Sequence, residues 1–205
     1  MNRTEAQRKY DEAIDLIDPH ILYEDRLTTS LTEEDRAAVK KGICILDEII
    51  LAEQANCWVW WFRGKAFQTL TLWELEYESF KKSYELLKEK PSFSGEDEGK
   101  DYGMVLRELA WAAARLDKLD EAIYYLSLAT EFMDDPTVYS NYALILMLKG
   151  NYDEAVNMAQ KCLEKAPCDT ATSVANLIKA VRNGELPKPT SYLDLRDIDP
   201  ADYLE

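Results

Sequence analysis

PTVYSNYALILMLKGNYDEAVNMAQKCLEKAPCD, residues 136–169, reads as one complete helix-turn-helix unit. Asp135 followed by Pro136 is the cap and first-residue pair expected at a helix start, and Val138, Tyr139, Tyr142 and Leu146 continue at helical spacing. Lys149 suits the negative end of the helix dipole, and Gly150 can close the last turn in the left-handed conformation. Asn151 is placed to cap a second helix, with Asp153 and Glu154 in its first turn and Val156, Ala159 and Leu163 at three- and four-residue steps. Pro167 ends it. Small residues, Ala143 on the first helix and Ala155, Ala159 and Cys162 on the second, let the two helices approach closely.

Working upstream, a second copy covers 103–135, with Leu106, Leu109, Ala110 and Ala113 on its first helix and Ala122, Leu126 and Ala129 on its second. Its register rests on LDEAI against YDEAV, with Asp117 and Lys118 in place of the turn glycine. A third copy covers 57–91: Trp60, Gly64 and Phe67, then Ser79, Leu86 and the closing Pro91. Arg63 stands there where an apolar residue is usual, and the turn from Thr69 to Leu75 reads as long. Polar 91–101 is the loop between copies. Two more helices are expected nearer the start, over 4–17 and 31–56, the second capped by Thr32. A helix over 170–183 should cap the last open face.

This pattern resembles the tetratricopeptide repeat, a unit of about 34 residues with W-x2-L-G-x2-Y, then A-x3-F, then P. The matching residues of the last copy are Tyr139, Tyr142, Ala143, Leu146, Ala155, Ala159 and Pro167, with Tyr139 in place of Trp and Ala159 in place of the bulky residue. The resemblance implies an all-α fold, a right-handed superhelical solenoid of antiparallel helix pairs. One domain over 1–186, followed by a C-terminal tail over 187–205, is the economical division.

Composition narrows the chemistry. The chain has 205 residues, 47% hydrophobic with only 7 glycines, which suits a helical protein with a continuous core. No apolar run reaches the roughly 18 residues of a membrane span, and the first residues lack a signal-peptide apolar region, so a cytoplasmic location is expected. Cys44, Cys57, Cys162 and Cys168 have no C-x-x-C spacing, and the one histidine, His20, has no cysteine nearby, so no metal is expected. Cys44 and Cys162 read as small packed residues, and a Cys162–Cys168 disulfide is disfavoured by that compartment. A formal net charge of −15 makes nucleic acid and anionic membranes poor partners and favours basic ones.

No nucleotide loop, nucleophile elbow or metalloprotease helix is present, so neither cofactor nor catalysis is expected. Acid pairs such as Glu33/Glu34 and Asp134/Asp135 read as helix starts. The family resemblance implies instead a concave groove lined by the first helix of each repeat. The candidate groove residues are Trp58, Trp61, Phe62 and Lys65, then Arg107, Trp111 and Arg115, then Asn141 and Leu144. Aromatic and Arg side chains are the types that dominate binding energy at protein interfaces. The family's carboxylate clamp for chaperone C-termini needs Lys and Asn on one helix, Asn on the next, and Lys and Arg on a third. Only Asn141 has a counterpart, so that clamp is not expected.

The last segment, PKPTSYLDLRDIDPADYLE, breaks the helical pattern at Pro187, Pro189 and Pro200 yet keeps Tyr192, Leu193, Leu195, Ile198, Tyr203 and Leu204, too many apolar residues for a disordered tail. It reads as an extended strap packed on the domain, either in the groove or on a terminal repeat. Three functions stay open at this point. The first is an interaction module holding a peptide or helical segment of another protein. The second is a chaperone similar to the small acidic class II chaperones of type III secretion, which implies basic or amphipathic clients and a homodimer. The third is a regulatory subunit or an enzyme of unrecognised type.

Overall fold

The computed structural model describes residues 1–21, 31–53, 55–89 and 98–197, excepting the side chains of 98–100, 169–170 and 196–197. The closing Pro91, the loop 91–97 and the tail beyond 197 lie outside the described residues. All regular structure among the described residues is helical, in two compact units, 1–92 and 93–205, where the sequence reading expects one domain. The N-terminal unit holds α1 (Arg3–Ile17), a 3-10 turn (Asp18–His20), α2 (Glu33–Leu51), α3 (Cys57–Thr69) and α4 (Trp73–Glu89). The C-terminal unit holds α5 (Glu98–Arg115), α6 (Leu119–Phe132), α7 (Pro136–Lys149), α8 (Tyr152–Lys165), α9 (Asp169–Asn183) and a 3-10 turn (Leu193–Asp197). The helices pack as pairs, α1 on α2, α3 on α4, α5 on α6 and α7 on α8, with α9 laid against α7 and α8.

Local chemistry sets these boundaries. Thr32 and Asp35 form a reciprocal capping box at α2, each accepting the other's backbone N–H, at 3.1 and 2.9 Å. The Asn56 side chain accepts from Trp58 and Val59 to start α3, and Asp135 accepts from Thr137 to start α7. α5 begins about one turn before the position expected from Gly103. Its Gly103 makes room for a neighbour, because a Cβ there would lie 2.2 Å from Met133 Cγ.

The turns that close the α3–α4, α5–α6 and α7–α8 hairpins are built alike. Thr71, Asp117 and Gly150 are left-handed, with φ of 58°, 57° and 93°. In each, the next residue donates its N–H back across the turn: Leu72 to Phe67, Lys118 to Ala113 and Asn151 to Leu146, all at 2.9 Å. This is the Schellman closure of a helix end. The turn after α3 is therefore as short as the others, not longer. Asn151 contributes this backbone bond rather than the side-chain cap expected of it, since its side chain makes no capping bond.

The same bonds fix the repeat register. Glu76, Ala122 and Ala155 each donate to the residue that closes the turn, Leu72, Lys118 and Asn151, at 3.0 Å. Glu76, not Ser79, therefore occupies the place of the packed alanine, a shift of three residues within α4. Glu76 is 0% exposed, and its Oε1 accepts from Gln68 Nε2 at 3.2 Å, which lets a carboxylate stand at a close-packed position.

The N-terminal core is Ala13, Ile17, Val39, Leu46, Ile49, Val59, Ala66 and Phe67. In the C-terminal unit Leu106, Leu109, Ala110, Leu126, Ala143, Leu146 and Ile178 are all fully buried. α3 gains its tight fit from Gly64, where a Cβ would meet the Phe80 ring at 2.7 Å.

Candidate peptide-binding site

Arg63, at a place usually apolar, is accommodated within the N-terminal unit. Its Nε pairs with Asp47 at 2.7 Å, its Nη1 donates to Ser79 Oγ at 2.9 Å, and its guanidinium lies over Trp60 and Phe67, 5.4 and 4.6 Å from their centroids. The aromatic run of α3 forms a linked cluster. Trp61 meets Trp58 and Phe62 edge to face, with centroids 6.0 and 5.0 Å apart, and the Lys65 ammonium stands 5.8 Å from Trp61. Phe62 also meets Tyr10 of α1 at 5.7 Å and packs on the N-terminal core. Of the four candidates here, Trp61 and Lys65 are buried and Trp58 and Phe62 are half-buried.

In the C-terminal unit the candidates on α5 share one face, because residues four apart on a helix stack one above the other. Arg107 and Arg115 flank Trp111, with guanidinium carbons 6.0 and 5.9 Å from its centroid. Glu108 accepts from Arg107 Nη2 at 3.0 Å. Trp111 is 8% exposed and Asn141, on α7, 5%. Leu144 is half-buried on the same helix. Among the described residues, Trp111 Nε1, Arg107 Nε and Asn141 Nδ2 are buried without a hydrogen-bond acceptor. All three are donors. A buried donor left unmade costs about 1–3 kcal/mol, so such a row favours anything that brings oxygen atoms to it.

The tail supplies a side chain that the repeat pattern does not point to. Tyr192 is 7% exposed, and the Arg115 guanidinium stands 5.8 Å from its ring centroid. Arg115 thus sits over two rings, Trp111 on its own helix and Tyr192 from the tail. The tail passes the α7–α8 turn on its way, since Lys188 Nζ lies 3.7 Å from where a Gly150 Cβ would stand. Its conformation is anchored by Asp194, whose Oδ2 accepts from Thr190 Oγ1, Thr190 N and Ser191 N at 2.6, 2.8 and 2.9 Å. These bonds, the Thr190 hydroxyl first, hold the Asp194 carboxyl below the usual carboxylate range. Ser191 and Asp194 are a capping pair in sequence, the one local signal that announces a helical turn inside a segment otherwise read as extended.

Among the described residues no helix is long and apolar enough to cross a membrane, and no group of three His, Cys, Asp or Glu is placed to hold a metal ion.

No family model matches the sequence, and no curated protein matches it. Solved structures do. The crystal structure of YrrB, titled a tetratricopeptide-repeat protein with an unusual peptide-binding site, aligns over 100% of this chain and 95% of its own at 16% identity and a TM-score of 0.61. The crystal structure of MamA aligns over 86% of this chain and 92% of its own at 18% identity and a TM-score of 0.61. The likeness, with the repeated hairpin closures, establishes a tetratricopeptide-repeat fold.

Proposed function

We propose that this tetratricopeptide-repeat chain is a non-catalytic interaction module that holds a peptide or helical segment of another protein against the α5 and α7 faces of its C-terminal unit. The observation that carries the reading is the set of buried donors without acceptors among the described residues, Trp111 Nε1, Arg107 Nε and Asn141 Nδ2. A polypeptide presents a carbonyl oxygen at every residue, so a bound segment is the most general source of the missing acceptors. Arg107 and Arg115 around Trp111 add the residue types that anchor interfaces. YrrB, with the same fold, is titled for a peptide-binding site, which agrees with this reading. In the N-terminal unit half-buried Trp58 is a further candidate contact, whereas Phe62 is occupied with Tyr10 and the core.

The test is affinity capture from native lysate with the whole chain and with Trp111→Phe, which keeps an aromatic ring and removes the indole donor. Partners held at this face are lost or reduced at least tenfold in the variant while its circular dichroism is unchanged. Equal capture by both chains contradicts the assignment.

A further inference from the structure

The start of α1, the end of α2 and the start of α3 bound a pocket of about 280 Å³ within the N-terminal unit. Residues three and four apart on a helix share a face, which is why Arg3, Ala6, Gln7 and Tyr10 all reach it. Its floor is apolar: Ala6, Ile49 and Val59 are 7%, 1% and 3% exposed. Its rim is polar and supplies donors. Asn56 uses its side-chain oxygen to cap α3, accepting from Trp58 N and Val59 N at 3.0 and 3.1 Å, which leaves its Nδ2 hydrogens for a ligand. The Tyr10 ring is fixed against Phe62, and burial, followed by the charges of Cys57 and Asp11, raises the pKa of its hydroxyl, so it stays a donor. Arg3, the one charged residue of the lining, enters no ion pair among the described residues.

We infer that this pocket is a binding site for a small free carboxylic acid with an aromatic or branched apolar body, whose carboxylate meets Arg3, Tyr10 and Asn56 while the body rests on Ala6, Ile49 and Val59. Size favours a small ligand. An apolar cavity of about 150 Å³ holds benzene, and sites for drug-sized ligands begin near about 300 Å³. Sign favours an anion, because a guanidinium is always charged and the positive end of the α3 dipole lies at the same wall. The net charge of −15 does not reverse this, since charges beyond about 8 Å are largely screened at physiological ionic strength and contact with Arg3 decides. The site belongs to the N-terminal unit and stands whether or not the α5 and α7 faces hold a partner.

The experiment titrates the full chain, labelled with nitrogen-15, with phenylacetate and follows amide correlation spectra, in which the side-chain amides of Gln7 and Asn56 report from the rim. Both shift saturably with a Kd of about 1 mM or below, as expected for a ligand of this size. Arg3→Gln, a change at an exposed position that leaves the fold intact, weakens binding by roughly tenfold or more, the share of one charge-assisted contact. Tyr10→Phe, which keeps the ring against Phe62, weakens it by a smaller factor. Phenylethanol, which lacks the charge, and acetate, which lacks the body, leave both amides unmoved at the same concentrations. No saturable shift, equal binding by the Arg3→Gln chain, or equal binding of phenylethanol overturns the inference. N-acetylphenylalanine presents its carboxylate as a chain end does, and tighter binding of it than of phenylacetate overturns the assignment to a free acid.

Discussion

Arg115 and Tyr192 stand 5.8 Å apart, guanidinium carbon to ring centroid, and join the end of α5 to a tail residue that the repeat pattern does not cover. The ring is almost wholly buried. Losing a buried aromatic side chain costs about 2 kcal/mol in transfer free energy alone. Tyr192→Ala therefore lowers Tm by roughly 4–8 °C in a chain of this size, read by circular dichroism. An unchanged Tm would show that the tail contributes nothing to the folded C-terminal unit.

The three hairpin turns make an ordered set. A left-handed conformation costs an L-residue roughly 1–2 kcal/mol, most for a β-branched side chain and less for Asp. Thr71→Gly is expected to stabilise by up to about 1 kcal/mol after the added freedom of the unfolded chain, Asp117→Gly by less, and Gly150→Ala to destabilise by about 1 kcal/mol. Urea midpoints give the order, and a destabilising Thr71→Gly contradicts the shared Schellman closure.

Gly64 faces the Phe80 ring with no space for a methyl group. Gly64→Ala should cost about 1–3 kcal/mol by overpacking, and Phe80→Leu in the same chain should recover part of that loss. Additive losses in the double variant, measured by denaturant unfolding, would separate the two residues.

Asp194 gives the tail a pH dependence of defined sign. Its carboxyl is held below the ordinary value by the Thr190 hydroxyl and by the N–H groups of Thr190 and Ser191. A carboxyl lowered in the folded state contributes stability that is fully present above its unfolded pKa of roughly 3.9 and is lost as pH falls through the lower folded value. The turn is thus intact at neutral pH and loosens only in strong acid. Carbon-13 titration of the carboxyl should place its midpoint below the ordinary range, and Thr190→Val should raise it. A midpoint that does not move with Thr190→Val contradicts the hydrogen-bond assignment.

The hairpins were legible because their signals are local. Asp135-Pro136, Gly150, the small residues of α7 and α8 and the Thr32 cap each act within a few residues, and the helices start and stop near them. The register of α4 was not legible, since Glu76 takes a place that the pattern assigns to alanine and is accommodated by Gln68 on the other helix. Nor was the turn after α3, because Thr71 adopts a conformation that its side chain disfavours and that tertiary packing imposes. That Arg107, Trp111 and Arg115 share one face of α5 follows from their spacing of four. The apolar content of the tail, Tyr192 included, announced a segment packed on the domain, but not that Tyr192 meets Arg115, because no periodicity links a tail to the helix it returns to.

The claim that a partner segment lies on the α5 and α7 faces is tested most directly by site-specific photocrosslinking in native lysate. The photoreactive residue p-benzoylphenylalanine replaces Leu144, half-buried on α7, or Tyr124, exposed on α6 in the same unit. The account predicts crosslinked partner protein from position 144, lost when Trp111→Phe is added, and none from position 124. Crosslinking from 124 alone, or from 144 without regard to Trp111, would contradict it.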